Sequence, residues 1–204
     1  MAIVLPGSFI YLAHMHTGST VVADTLKKLE GAFPAYNKRK GIGHHATLKE
    51  VKYVCGDKLT GTEKIFTVVR NPYEVLTIMF EQNQSHYQVR ALETRLDREP
   101  TLREFLEVWL ELNRRPYMEN GRLFFQEAKV HLRYERLQVE LDTLIRRLPG
   151  TPGSLVLEPG NPTPKRDHWT SFYDDATYAY VNEHFKEDIV KFGYPFVWSN
   201  SRLA

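Results

Sequence analysis

The apolar positions of this chain fall into blocks whose spacing changes from continuous to helical. Phe9-Ile10-Tyr11-Leu12-Ala13 is an unbroken apolar run and predicts a strand over 8–13. Val22, Leu26 and Leu29 then share one face, which predicts a helix over about 20–30. Residues 31–46 carry Gly, Pro and basic side chains and read as a loop. Thr47-Leu48-Lys49-Glu50 has the spacing of a capping box and opens a second helix. The apolar run over 64–69 reads as a buried parallel strand, and Pro72 suits the first turn of the helix that follows. Thr101-Leu102-Arg103-Glu104 repeats the capping-box pattern and opens a helix that buries Leu102, Phe105, Leu106, Trp109 and Leu112. Short strands are expected over 122–126 and 129–133, and a helix from about 135 to 148 that stops at Pro149-Gly150. A Pro/Gly-rich loop over 149–168 holds an expected strand near 155–157. The last helix runs from Asp174 to Phe192, with Tyr178, Val181, Phe185, Ile189 and Phe192 on one side and Gly193 and Pro195 at its end.

Strands alternating with helices predict an α/β layered fold with a mainly parallel sheet, formed by residues 1–204 as a single domain. In such a fold ligands bind beyond the carboxyl ends of the strands. Composition changes little: hydrophobic content of 42% and charged content of 25% are ordinary for a globular chain. A net charge of +2 gives no general reason to expect nucleic acid or a membrane surface as a partner. The lone cysteine, Cys55, excludes an internal disulfide and reads as a buried, inert thiol. No basic leader and no apolar run of bilayer length is present, so a cytoplasmic location is expected.

Chemistry concentrates at the ends of two predicted strands. His14-Met15-His16-Thr17-Gly18-Ser19-Thr20 joins the first strand to the first helix. Such a turn aims backbone N–H groups and hydroxyls at one spot beside the positive end of a helix dipole, which makes an anion cradle. It is not a Walker A loop, for it has one Gly and no Lys. The plainer alternative is a strand-to-helix turn capped by Ser19 or Thr20. Arg70 ends the second strand, directly before Asn71-Pro72, where a guanidinium can grip a phosphate with two hydrogen bonds. Its plainer alternative is a structural pairing with a carboxylate.

Taken together and in order, these segments resemble the sulfotransferases that use 3′-phosphoadenosine 5′-phosphosulfate. Met15-His16-Thr17-Gly18-Ser19-Thr20 is similar to the family's first motif, and Val69-Arg70-Asn71-Pro72-Tyr73-Glu74 to its second. Gly43 to Glu50, with its His45-Ala46-Thr47, resembles a segment of the carbohydrate-type branch, as do Leu132-Arg133-Tyr134-Glu135-Arg136-Leu137 and the pattern Asn161, His168-Trp169, Tyr173-Asp174, Asp188, Phe192-Gly193-Tyr194. The resemblance implies a P-loop-like three-layer sandwich. It also implies an enzyme that moves a sulfuryl group from that donor to a hydroxyl of a carbohydrate-like or small-molecule acceptor, with no metal. His16, Thr17, Gly18, Ser19 and Thr20 would cradle the 5′-phosphosulfate, and Arg70 would hold the 3′-phosphate.

Two positions depart from the family. His16 stands where the family has a Lys that polarises the bridging oxygen, and Ile78 where it has a Ser that binds the 3′-phosphate. Thr77 is adjacent to Ile78 but turned by about 100° on a helix, away from the apolar arc of Val75, Leu76, Ile78 and Met79. A missing hydrogen bond to a charged group costs roughly 1.5–3 kcal/mol. Lys165 and Arg166 are the cations expected to compensate. His45 is the expected general base, because the resemblance implies an acceptor-side position for it and because it lies next to a helix N-terminus whose dipole disfavours imidazolium. His16 would donate to the leaving phosphate, which predicts a slower enzyme or an acidic optimum. His14 is expected to be structural and His44 to meet the acceptor, while Glu135 either meets the acceptor, orients a base, or is simply a carboxylate at a helix start. The rival readings are a small-molecule kinase, which needs Mg²⁺ ligands and a loop Lys, and a relative that binds a nucleotide or anion without turnover.

Overall fold

The structure is a computed structural model that describes residues 1–36, 42–82, 93–94, 96–112, 124, 126–157 and 169–194, with backbone alone at 110–112. The chain divides into two compact units, one of Met1–Arg70 with Phe124–Pro162 and one of Asn71–Leu123 with Thr163–Ala204.

The first unit is α/β and is built on a five-stranded sheet with the order β3-β1-β2-β4-β5. Its strands are β1 (Ile3–Leu5), β2 (Phe9–Leu12), β3 (Phe33–Pro34), β4 (Lys64–Val69) and β5 (Val130–Arg133). β2, β4 and β5 run parallel, with Leu12 opposite Thr67 and Val69 opposite Arg133. β1 pairs antiparallel with both β2 and β3, so the sheet is mixed. The hairpin between β1 and β2 was not expected from the sequence. Ile3-Val4-Leu5 and the run at Phe9 are separated by Pro6-Gly7-Ser8, and Gly7 takes φ 71 while the Ser8 N–H donates to the Leu5 carbonyl at 3.0 Å. That is apolar run, turn residues, apolar run, the ordinary hairpin signal. Thr60, Gly61 and Gly7 are tied together by the Glu63 carboxylate, which accepts from the Gly7 N–H at 2.9 Å and the Thr60 N–H at 2.7 Å.

Helices α1 (Ser19–Leu26) and α5 (Leu137–Ile145) belong to the main core of this unit, which also holds one face of the sheet. Phe66 sits between Phe9 and Tyr11, at ring separations of 5.6 and 5.2 Å. The Tyr11 hydroxyl is buried in this core with no hydrogen-bond partner among the described residues. Burial pushes that phenol far above its ordinary range. α1 is shorter than predicted because Lys28 and Leu29 switch to i−3 carbonyls, although Leu29 stays buried. α2 (Leu48–Cys55) has the expected capping box, with the Glu50 N–H donating to Thr47 Oγ1 and the Thr47 N–H to Glu50 Oε2. Cys55 is buried at its end, and burial is the main cause that raises its thiol pKa. α5 begins two residues late, after a 3₁₀ turn at Tyr134–Arg136. No strand forms at 155–157. Leu155 and Leu157 pack on the core, but their N–H groups donate to Asp142 Oδ1 and Gln138 Oε1 of α5 instead of to a strand. Phe124 and Gln126 are not in a strand, and the rest of 122–125 lies outside the described residues.

The second unit holds α3 (Pro72–Gln82), α4 (Leu102–Leu112) and α6 (Asp175–Phe192). α3 contacts both α4 and α6. Asn71 Oδ1 accepts from the Tyr73 N–H at 3.1 Å, as a helix-capping side chain does, and Pro72 takes the first helical position. Tyr73 stacks on Trp169 and Tyr178 and meets Tyr173 edge-on, and its hydroxyl bonds Asn182 at 3.0 Å. Thr101 and Glu104 form the expected reciprocal bonds at the start of α4, which buries Leu102, Phe105, Leu106 and Trp109. The side chain of Leu112 lies outside the described residues. Asp174 caps α6 through the Thr177 N–H at 2.7 Å. Gly193, in the left-handed region, ends it, and the Tyr194 N–H reaches the Ile189 carbonyl at 3.1 Å. Among the described residues no helix is long and apolar enough to cross a membrane.

Candidate functional site

The parallel register of β2, β4 and β5 brings three chain segments to one end of the sheet. They are the turn after β2, Arg70 after β4, and Tyr134 after β5. This is the carboxyl end, where α/β sheets bind ligands.

Met15 to Gly18 form the turn, and two of its residues take left-handed backbone angles: His16 with φ 60 and Gly18 with φ 72. The angle at Gly18 is easy for glycine and costs a side-chain residue such as His16 about 1–2 kcal/mol. Gly18 is the N-cap of α1 and has no side-chain capping bond, which corrects the alternative of a cap from Ser19 or Thr20. The N–H groups of the first helical turn therefore receive no bond from an N-cap side chain and stand at the positive end of the helix dipole. No acidic side chain lies in that first turn.

Thr17 is fully buried, and its hydroxyl donates to the His14 carbonyl at 3.0 Å. This corrects the expectation that Thr17 offers a hydroxyl to the cradle, because its proton is committed to closing the turn. Ser19 is half-buried and Thr20 is exposed. His14 is buried, with Nδ1 bonded to the Met15 carbonyl at 3.0 Å and its ring against Phe124, in keeping with the structural role expected for it.

Arg70 is half-buried, and its Nη1 donates to the His16 carbonyl at 3.1 Å. Its guanidinium carbon lies 4.1 Å from the centroid of the Tyr134 ring. Tyr134 also covers Gly18, where a β-carbon would stand 2.9 Å from Tyr134 Cε2. Sequence reasoning placed Tyr134 only inside a segment, and gave it no role. The usable signal was positional, since Tyr134 follows β5 just as Arg70 follows β4.

His45 joins the same end of the sheet through a long-range contact. Its Nδ1 lies 2.8 Å from the carbonyl of Ala13, the residue that follows β2. A carbonyl can only accept, so Nδ1 carries the proton and Nε2 is the basic nitrogen of the neutral ring. His44 is exposed and stacks on Tyr36 with ring centroids 5.5 Å apart. Glu135 is exposed in the 3₁₀ turn beside Tyr134.

Thr77 lies in the other unit. It is buried, and its hydroxyl donates to the Tyr73 carbonyl at 3.0 Å. The expectation that it points away from an apolar arc is corrected, because α3 is buried all round from Val75 to Phe80. Lys165, Arg166 and His168 lie outside the described residues. Among the described residues no three His, Cys, Asp or Glu side chains come together as a metal site.

The motif residues thus divide in two. Asn71, Pro72, Tyr73, Asp174 and Gly193 each have a local structural reason for their identity, as caps, a helix start or an aromatic hub. Arg70, Gly18 and His45 lie at the carboxyl end of the sheet, Arg70 bonded to the His16 carbonyl and His45 to the Ala13 carbonyl. Neither the family models nor the curated proteins give a match to this chain.

Proposed function

We propose that this end of the sheet binds the phosphosulfate end of 3′-phosphoadenosine 5′-phosphosulfate, and that the protein is a sulfotransferase of P-loop-like architecture acting on a hydroxyl of a carbohydrate-like or small-molecule acceptor. The observation that carries the reading is Arg70. It ends a parallel strand, bonds the carbonyl of His16, and so stands beside the uncapped start of α1. A cation and helix N–H groups that meet at one place favour an anion.

The residues fit such a donor. Ser19 and Thr20 would supply N–H groups and hydroxyls to the 5′-phosphosulfate and Thr17 a backbone N–H, while Arg70, beside them, would hold the 3′-phosphate with its fixed positive charge. When bound, the donor supplies the sulfuryl group. His45 would take the acceptor hydroxyl's proton on Nε2, while the Ala13 carbonyl holds its Nδ1–H and fixes the ring. The half-buried His16, standing where the family keeps a Lys, would give a hydrogen bond to charge on the leaving phosphate. The Thr77 hydroxyl, named for the 3′-phosphate from the sequence, has its proton committed within α3 and takes no part in this reading.

A second reading, anion binding without turnover, draws support from the same turn. The turn has no Lys, and the Thr17 hydroxyl is turned inward. The two separate in one experiment: the donor is incubated with a pool of sugars and phenols, and sulfated product is sought by mass spectrometry. Product from wild type, reduced roughly 10²–10⁴-fold in His45→Gln, is expected of the enzyme. Donor binding with no product from any acceptor would leave the binding protein.

A further inference from the structure

We infer that Tyr134 is a positioning residue that holds Arg70 and the β2–α1 turn in one arrangement. The inference rests on the anion-site reading above and extends it to a residue that reading does not use.

Three contacts meet on this one side chain. Tyr134 Cε2 and Cδ2 lie where a β-carbon on Gly18 would be only 2.9 and 3.2 Å away, so the ring rests directly on the glycine backbone. The Arg70 guanidinium lies over the ring face, 4.1 Å from its centroid. Arg70 then reaches back to the turn through Nη1 and the His16 carbonyl, at 3.1 Å. Turn, ring and guanidinium therefore form a closed set, in which each member fixes the other two. Without the ring, Arg70 keeps its bond to the His16 carbonyl but loses the face against which its guanidinium lies, so ordering it on an anion costs more. Only the ring takes part in these contacts, so the aromatic face is required and the hydroxyl is not. The register Val69↔Arg133 is what sets Tyr134 beside Arg70.

The test follows the Arg70 side chain directly. The Nε–H resonance of Arg70 is assigned in ¹⁵N-labelled protein by its loss in Arg70→Lys. A ring beneath the guanidinium displaces that resonance. The displacement is expected in wild type and in Tyr134→Phe, and its loss in Tyr134→Leu or, if that variant unfolds, Tyr134→Met. The second arm is calorimetry with 3′-phosphoadenosine 5′-phosphate and with adenosine 5′-phosphate. Tyr134→Leu is expected to weaken the bisphosphate ~3–30-fold, with Tyr134→Phe close to wild type. In an Arg70→Ala background, Tyr134→Leu should add less than ~2-fold. An Arg70 resonance that stays put in Tyr134→Leu overturns the inference, as does an equal loss in the Arg70→Ala background. If the resonance moves as expected but wild type binds neither nucleotide, the clamp stands and the donor assignment fails.

Discussion

Gly18→Ala is the sharpest structural perturbation available at the site, because two separable costs meet at one atom. The backbone at Gly18 has φ 72, which carries about 1–2 kcal/mol for any residue with a β-carbon. The new methyl would also stand 2.9 Å from Tyr134 Cε2, 3.2 Å from Cδ2 and 3.6 Å from Leu137 Cδ2. The ring cannot yield freely, since it lies under Arg70 and the adjacent Leu137 is buried. Overpacking of this kind costs about 1–3 kcal/mol, so the total is about 2–5 kcal/mol. Gly150 provides the control, with φ 70 and nothing within 4 Å of the place a β-carbon would take there. Gly150→Ala should therefore show the backbone cost alone, about 1–2 kcal/mol. Urea denaturation followed by circular dichroism measures both, and Tyr134→Ala placed in the Gly18→Ala chain should remove the steric part of the difference. Equal losses at Gly18 and Gly150 would refute the reasoning, for they would mean that Tyr134 does not cover the turn.

Tyr11→Phe removes a buried hydroxyl that has no partner among the described residues, so thermal unfolding should show a gain of about 1 kcal/mol; a loss of that size would show the hydroxyl to be hydrogen-bonded in the folded protein. For the Glu63 carboxyl, burial acts upward, but the N–H groups of Gly7 and Thr60 and the Thr60 hydroxyl outweigh it and hold the pKa at about 2. A depressed folded pKa gives stability that is present above the unfolded value of about 4.3 and is lost as pH falls from there towards 2. Glu63→Gln should cost about 1 kcal/mol at neutral pH, discounted for solvent screening, and should flatten the acid limb of the urea midpoint; an unchanged limb would remove this role. If the proposed sulfuryl transfer occurs, His16→Lys supplies a fixed charge to the leaving phosphate, so sulfated-product formation should rise at about pH 8 relative to pH 6, whereas His16→Gly keeps the φ 60 backbone and loses the imidazole. Identical pH profiles for wild type and both variants would remove His16 from the chemistry.

What could be read from the sequence was local chemistry. Thr47 with Glu50 and Thr101 with Glu104 form the reciprocal caps that their spacing predicts, and β4 and β5 lie where the apolar runs place them. The β1–β2 hairpin was missed although it was legible, since Pro6-Gly7-Ser8 are turn residues between two apolar runs. The 155–157 segment shows the opposite error. Leu155 and Leu157 alternate with the exposed Val156 as in a strand, yet Gln138 and Asp142 of α5 take the bonds that a neighbouring strand would take. Periodicity reports which side chains are buried, and does not say which groups satisfy the backbone. At the site, Arg70 and the turn were legible because each follows a strand. Tyr134 over Gly18 and the His45 bond to Ala13 depend on strand register and a long-range contact, which no local pattern encodes. The inward turn of the Thr17 hydroxyl likewise depends on where the His14 carbonyl lies once the turn has closed.

In the proposed function, Arg70 and the start of α1 form a site for a nucleotide with a 3′-phosphate and a 5′-phosphosulfate. Calorimetry with 3′-phosphoadenosine 5′-phosphate and with ATP, on wild type and Arg70→Ala, tests it most directly. A charge-assisted hydrogen bond is worth about 1.5–3 kcal/mol, so Arg70→Ala should weaken the bisphosphate by roughly 10–150-fold. Wild type should prefer the bisphosphate to ATP by at least about tenfold, and Arg70→Ala should lose that preference. Equal, weak binding of both nucleotides to wild type would contradict the account.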